Sequence, residues 1–193
     1  MKTTRLEAFS DGVIAILITI MVLELKVPHG SDWAALRTTV FTLLMYLMSF
    51  VFLGIYWSNH HHMFNATEHV SGSVLWANLH LMFWLSLVPF ATTWMGETHF
   101  ESFPTAVYGV VLLAAAGAYT LLQARIIALE GSASQLARAV GNDLKGKISI
   151  ALYLSGIGLA FVHPLLADLA YASVALIWLV PDRRIEVALS ERE

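Results

Sequence analysis

Arg5, Ser10 and Asp11 stand at the edge of an apolar run, residues 13–23, whose only polar member is Thr19. A carboxylate at the centre of a membrane-spanning helix costs roughly 2.5–3.5 kcal/mol on insertion scales, so such charges usually face other helices or a watery path. An ionised Asp only accepts hydrogen bonds, Arg only donates, and Ser does both. These three residues therefore have the inventory for a buried hydrogen-bond network beside an apolar helix.

The apolar run itself carries a stripe. Ile16, Thr19, Ile20 and Leu23 recur at i, i+3, i+4 and i+7 spacing, which places them on one face of a helix. At about 100° per residue, Asp11 lies about 140° round from Ile16. The polar residues and the stripe must therefore face different surroundings. Ordinary helix packing explains the stripe, and so does a hydrophobic constriction that lines a pore and gates by dewetting.

The histidine cluster does not predict a metal site. His60, His61 and His62 are consecutive, so their side chains point about 100° apart, and the i, i+4 spacing of a helical zinc site is missing. The chain has no cysteine. No nucleophile–base motif stands out, so we predict no enzyme, no catalytic residues and no cofactor. No basic tract stands out either, so we predict no nucleic-acid partner. The histidines fit network or interface roles, with proton sensing as an alternative.

Composition places these residues in a membrane. Of the 193 residues, 58% are hydrophobic and only 13% are charged, whereas soluble domains carry about 25% charged residues. The mean hydropathy is +0.68. We therefore expect an all-α integral membrane protein.

Six segments approach the roughly 20 residues that a spanning helix needs. They are residues 6–27, 35–59, 70–95, 103–129, 147–162 and 165–180. The last two are short and joined by His163 and Pro164, which predicts a tight helical hairpin, with a single re-entrant pair as the alternative. We expect residues 1–193 to form one six-helix domain, with a short amphipathic piece in the loop 130–146.

The Lys and Arg distribution orients these spans. With the N-terminus in the cytoplasm, inside segments hold nine of these residues and outside segments hold two. The inside set is Lys2, Arg5, Arg125, Arg138, Lys145, Lys147, Arg183, Arg184 and Arg192, and the outside set is Lys26 and Arg37. The positive-inside rule then predicts that both termini are cytoplasmic.

The same span order brings further polar residues to the depth of Asp11. These are Trp57, His60, His61 and Asn78, near the cytoplasmic ends of the second and third spans. We predict that they join Arg5, Ser10 and Asp11 in a structural network that holds the first helix.

These residues resemble a known family. Arg5, Phe9, Ser10 and Asp11 stand at the spacing of the first-helix signature of the transmembrane protein 175 family, the bacterial relatives of the endolysosomal potassium channel. The group Trp57, His60, His61 and Phe64 resembles the end of the family's second helix. Asn78 and the run 86–92 resemble its third helix. The second half of the chain is similar mainly in hydropathy and helix count.

The resemblance implies a potassium-permeable, potassium-preferring channel in a bacterial-type inner membrane, with no cofactor beyond the permeating K⁺ ions. It implies homotetramers of six-helix subunits whose first helices surround the pore. Ile16 falls on the family's constriction isoleucine, Ile20 and Leu23 fall on the next apolar layers, and Thr19 falls on the threonine linked with potassium preference. As in the family, the chain has no Thr-Val-Gly-Tyr-Gly loop.

Glu24 lies about 40° round from Ile20, one turn further along the first helix. A ring of such carboxylates at the outer mouth could concentrate cations, while a solvated helix end or an ion pair with Lys26 or Arg37 is the plainer interpretation. The competing function is a proton- or cation-coupled secondary transporter that uses Asp11 and Glu24 as ion sites. Broken helices near the midplane would favour it, and only Pro89 suggests one.

Overall fold

The computed structural model describes residues 3–67 and 69–179, and all regular structure in these ranges is α-helical. In chain order the helices are α1 Thr3–Leu23, α2 Trp33–Arg37, α3 Val40–Asn65, α4 Gly72–Ser86, α5 Val88–Glu97, α6 Ser102–Glu130, α7 Gln135–Val140, α8 Leu144–Leu159 and α9 Pro164–Leu179. Lys2, Arg183, Arg184 and Arg192, on which the predicted orientation partly rests, and residue 180 of the sixth predicted span lie outside this description.

Four helical segments are long and apolar enough to cross a membrane. They are Thr3–Leu23, Val40–Asn65, Gly72–Glu97 and Ser102–Glu130. Pro164–Leu179 is a shorter apolar helix. It packs against α8, of similar length, so the last two predicted spans form a helical hairpin. The all-helical, membrane-capable architecture that the composition predicts is therefore present.

The first helix ends earlier than predicted. The predicted span reaches residue 27, but α1 ends at Leu23, and the chain from Glu24 to Gly30 is irregular. Glu24 and Lys26 are charged and exposed. The average hydropathy of the segment remained high enough to include these residues in the predicted span. In the structure, the helix ends at the polar residues that precede Pro28.

The second predicted span is two helices. Asp32 caps the short α2 by accepting a hydrogen bond from the backbone N–H of Ala35 at 2.9 Å. After a turn, α3 runs to Asn65, six residues beyond the predicted end at 59, so the histidine cluster is helical. No Gly or Pro occurs between residues 60 and 71 to stop it earlier.

The third predicted span is interrupted at Leu87, between α4 and α5. Pro89 stands in the first turn of α5. Proline has no backbone N–H and its ring clashes with the preceding turn, so a helix restarts at such a position more readily than it continues through it.

The fourth span and the following loop agree closely with prediction. Helix α6 covers 102–130 against a predicted 103–129, and Pro104 lies in its first turn. The predicted amphipathic piece is α7, capped by Ser134. Leu136 and Ala139 are its buried face.

Helix α1 is held by one side. Its buried residues are Leu6, Ser10, Ile14, Leu17 and Met21, and it packs on α3, α4 and α5. A buried hydroxyl chain ties two of the supporting helices to α6, because Ser49 on α3 contacts Thr92 on α5 at 2.6 Å and Tyr108 on α6 at 2.9 Å. On the opposite side of α1, Ile16 and Leu23 are exposed.

Two glycines make room for one buried tyrosine. Tyr171 on α9 is fully buried and donates a hydrogen bond to the Thr105 carbonyl oxygen at 3.3 Å. A Cβ added at Gly109 or at Gly156 would overlap the ring or hydroxyl of Tyr171. These glycines therefore let α6, α8 and α9 approach closely around the tyrosine.

We predict that Gly109→Ala lowers the stability of the purified protein by about 1–3 kcal/mol, the usual cost of overpacking. Gly117→Ala on the same helix is the matched control, because a Cβ there meets nothing within 4 Å. The control gains helix propensity, up to about 1 kcal/mol. Thermal unfolding followed by circular dichroism compares them. Equal melting temperatures for the two variants would contradict the close packing.

Candidate functional site

The predicted stripe of α1 points out of the subunit. Ile16 is 58% exposed, Ile20 39% and Leu23 80%, and Thr19 is exposed between them. Ile14, on the opposite side of the helix, is fully buried. The structure thus brings all four stripe residues onto one outward surface, which we call the α1 outer face.

Thr19 places a hydroxyl on this face. Its Oγ1 donates a hydrogen bond to the Ile16 carbonyl oxygen at 2.8 Å, one turn back along the helix. Since the proton is engaged by the backbone, the oxygen presents lone pairs outward. A cation passing the face would therefore meet an acceptor between two apolar layers.

A buried polar cluster lies on the inner side of α1. Ser10 Oγ donates to the Leu6 carbonyl oxygen and accepts from Asn78 Nδ2, both at 2.9 Å. Asn78 Oδ1 lies 2.8 Å from His60 Nε2, which makes this nitrogen the donor. Ser10, His60 and Asn78 have no exposed surface. The chain Ser10–Asn78–His60 therefore joins α1, α4 and α3, and we call it the polar cluster.

Asp11 lies beside the polar cluster without joining it. Its Oδ1 and His60 Nδ1 are buried and have no hydrogen-bond partner among the described residues. Asp11 is close enough to His60 to interact electrostatically with it. The two atoms leave acceptor capacity at the inner side of α1 that no side chain of the described subunit uses.

Arg5 lies apart from the polar cluster within the described chain. Its side chain is exposed and makes no hydrogen bond or ion pair with the described residues. The reason is helical geometry, because Arg5 lies about 140° round α1 from Ser10. It therefore points away from the polar cluster within the subunit.

Trp57 and His61 form a separate group at the same end of α3. Trp57 is 48% exposed and stacks on His61, with ring centroids 6.3 Å apart. Asn65 Nδ2 donates to His61 Nε2 at 2.9 Å, which leaves His61 Nδ1 as the donor to Glu7 Oε1 at 2.7 Å. Within the subunit, Trp57 and His61 are thus tied to α1 through Glu7 and not through Ser10 or Asp11.

Sequence reasoning missed Glu7. The signal was available, because Glu7 lies about 60° from Ser10 and about 40° from Asp11 on the helical wheel. The adjacent histidines also diverge: His60 bonds Asn78 and His61 contacts Glu7. Among residues 3–67 and 69–179, no group of His, Asp and Glu side chains is placed to hold a metal ion.

The other end of α1 opens onto a groove of about 510 Å³ whose lining includes Leu17, Ile20, Glu24 and Glu97. Glu24 follows the last residue of α1 and is exposed, and its N–H bonds the Ile20 carbonyl oxygen at 3.2 Å, so it stands at the end of the helix one turn beyond Ile20. The predicted partner of Glu24, Lys26, forms an ion pair with Glu97 instead. The hydrogen bond and the charge of Glu97 raise the pKa of Lys26 above its ordinary value.

These features define a helical membrane protein whose first helix is held by a buried side that includes Ser10 and exposes an apolar stripe on its other side. Residues 5–89 match the family model described as endosomal/lysosomal potassium channel TMEM175. A curated relative from Chryseobacterium sp., named a potassium channel, is 54% identical over 99% of this chain and 100% of its own length. The chain belongs to the TMEM175 family.

Two further comparisons cover nearly the whole chain. A potassium channel from Streptomyces collinus is 32% identical over 91% of this chain and 90% of its own length. A crystal structure of a lysosomal potassium-selective channel TMEM175 homolog from Chamaesiphon minutus superposes with a TM-score of 0.83 at 26% identity, covering 93% of this chain and 97% of that one. The chain therefore has the fold of the TMEM175 family.

We predict that Asn78→Ala destabilises the protein by about 2–4 kcal/mol, because it leaves Ser10 and His60 with unsatisfied buried groups that cost about 1–3 kcal/mol each. Asn65→Ala, which breaks an exposed hydrogen bond to His61, is the matched control and should cost well under about 1 kcal/mol. Thermal unfolding in detergent measures both. Similar losses for the two variants would mean that the polar cluster does not hold α1.

Proposed function

We propose that this protein is a potassium-permeable, potassium-preferring cation channel of a bacterial-type inner membrane. The observation that carries the proposal is the α1 outer face, which is apolar, bears Thr19, and leaves Ile16 and Leu23 largely exposed in a chain of the TMEM175 fold. The relatives named potassium channels support the choice of ion. The single domain 1–193 would cross the membrane six times with both termini in the cytoplasm.

The proposed pore needs several subunits. One helix cannot enclose a path, and closed cyclic symmetry is the usual way in which identical chains do so. In a homotetramer the α1 outer faces would surround the axis and form rings of Ile16, Ile20 and Leu23. The large exposed fraction of Leu23 is then the surface that the other copies and the pore water cover.

The proposed constriction would select ions through dehydration. Branched apolar side chains give a bare cation no ligand, so an ion must pass with much of its water or through a widened state. Potassium releases water more readily than the smaller sodium ion. The outward lone pairs of Thr19 would replace part of that water. We therefore propose a modest potassium preference, with K⁺ as the permeating ion and no other cofactor.

Glu24 would act at the outer mouth. It stands where α1 ends, next to the apolar rings, and its carboxylate is exposed. A carboxylate gains nothing from the negative end of a helix dipole, so this position is not explained by helix stability. Four copies would raise the local cation concentration, while the Lys26–Glu97 pair keeps the nearby Lys26 engaged.

The inner side of α1 would serve as scaffolding. The polar cluster fixes the rotation of α1, and the Glu7–His61 contact fixes its cytoplasmic end. Asp11, with a buried unpartnered oxygen beside His60, would contribute to this support. If these residues are structural, substituting them should reduce the yield of assembled protein before it changes the ion selectivity.

The test is the reversal potential of purified full-length protein in a planar bilayer between potassium and sodium solutions. We expect a shift toward the potassium equilibrium potential. A current that reverses at the sodium potential, or flux that saturates and follows a coupled counter-ion, would contradict the channel and favour the secondary transporter.

We expect Ile16→Asn to increase the current and to reduce the preference for potassium over sodium, because an amide wets the narrowest apolar ring. Val22→Asn is the control, since Val22 lies on the same helix about 120° round from Ile16. Bi-ionic recordings compare both variants with the wild type. An unchanged reversal potential and current in Ile16→Asn would remove Ile16 from the constriction.

Single-cysteine variants test the assembly, because the natural chain contains no cysteine. We expect oxidation of Leu23→Cys in membranes to give disulfide-linked dimers, since symmetry brings equivalent residues on the α1 outer faces close to the axis. Leu176→Cys, on the exposed surface of α9, should stay monomeric on non-reducing gels. Dimers from Leu176→Cys and none from Leu23→Cys would place a different helix at the centre.

A further inference from the structure

A second candidate site lies inside the subunit, away from α1. A cavity of about 50 Å³ opens between α3, α6, α8 and α9 near the start of α8, and no residue of α1 lines it. Its lining includes Tyr56, Tyr119, Gln123, Asp143, Tyr153 and Trp178. In the proposed topology this end of the helices faces the cytoplasm.

Two polar side chains that line the cavity have unused hydrogen-bonding capacity. Neither the Tyr56 hydroxyl nor the Gln123 amide bonds any described residue, although both side chains lie only partly exposed in the wall. Buried or half-buried polar groups of this kind are usually satisfied by water or by a ligand. The cavity wall is therefore mostly apolar and carries two polar groups that can bond a small guest.

The charged residue of the lining favours a positively charged guest in the cavity. Among the described residues that line it, Asp143 is the only charged one. Asp143 caps α8 by accepting a hydrogen bond from the Gly146 N–H through Oδ1 at 3.1 Å, with its backbone in the left-handed region at φ 41°. A carboxylate can accept several hydrogen bonds, so the cap leaves it able to bind a cation.

The aromatic walls suit an organic cation. Tyr56 and Tyr119 meet edge to face with centroids 6.1 Å apart. The face of Trp178 already receives a cation, because Lys145 Nζ lies 5.7 Å from its ring centroid. Its Nε1–H donates to Ser149 Oγ at 2.8 Å, which fixes the indole plane. Aromatic faces attract ammonium groups through the ring quadrupole.

The size of the cavity limits which organic cations can enter it. About 50 Å³ is well below the 150 Å³ or so that accommodates benzene, so only a few heavy atoms can enter. A primary ammonium carries three N–H donors and matches the acceptors of Asp143, Tyr56 and Gln123. A quaternary ammonium is larger and donates no hydrogen bond.

We propose that this cavity binds the ammonium end of a small primary amine through Asp143, Tyr56 and Gln123, within one subunit and off the proposed pore axis. The site is independent of the proposed conduction path, because α3, α6, α8 and α9 alone build it. The amine would bridge α8 to α3 and α6 and bind the folded subunit more tightly than the unfolded chain.

The probe is methylammonium chloride, added to purified full-length protein in deuterated detergent, with saturation-transfer NMR on its methyl signal. We expect saturable binding in the wild type and a dissociation constant raised about tenfold in Asp143→Asn, a change that corresponds to one charge-assisted hydrogen bond. Asn is as good a helix cap as Asp and tolerates positive φ, so this variant keeps the fold. Tyr56→Phe should weaken binding several-fold.

Asp32→Asn is the matched control, because Asp32 is also a capping aspartate but lies at α2, far along the chain from the cavity. It should bind methylammonium like the wild type, and tetramethylammonium should compete poorly. Equal dissociation constants for wild type and Asp143→Asn would overturn the proposal and place any binding elsewhere, such as the pore axis. Equal weakening by Asp32→Asn, or effective competition by tetramethylammonium, would overturn it as well.

Discussion

The hydrogen-bond chain from Ser10 through Asn78 to His60 is the constraint on which the placement of α1 depends. In the interior of a helical bundle, a buried polar group without a partner costs free energy that no competing solvent contact restores. A rotation of α1 by one residue, about 100°, would carry Ser10 away from Asn78. The direction of the apolar stripe is therefore fixed by hydrogen bonds on the opposite side of the helix.

This arrangement separates two tasks on a single helix of 21 residues. One side of α1 binds α3, α4 and α5, and the other side carries Ile16, Thr19 and Ile20 outward. Exposed isoleucine and leucine alone would suit lipid, where an apolar surface needs no partner. The exposed Thr19 hydroxyl oxygen, and Glu24 at the end of the same face, suit contact with water and cations better than contact with lipid tails.

Helical periodicity predicted the features that local sequence determines, and few of the features that depend on contacts distant in the chain. The extent of α6 and the opposition between Ser10 and Ile16 follow from hydropathy and from 100° steps, so the sequence was sufficient for them. Pro89 marked the interruption of the third span, which the structure places at Leu87. The early end of α1 depends on the polar residues Glu24 and Lys26, which an average over a window conceals. Glu7 was missed because its partner, His61, is 54 positions away in the chain.

The α1 outer face and the cavity between α3, α6, α8 and α9 lie largely in different parts of the chain. The family model matches residues 5–89, which hold α1, the polar cluster and the break before α5. Three of the four helices around the cavity follow that region, and only α3 belongs to both parts. Helix α3 carries His60 of the polar cluster and Tyr56 of the cavity within two helical turns, so it joins the two regions directly, while α6 joins them through α4 and α5. A ligand that rigidifies the Tyr56 side of α3 would act on the same helix whose His60 side belongs to the polar cluster.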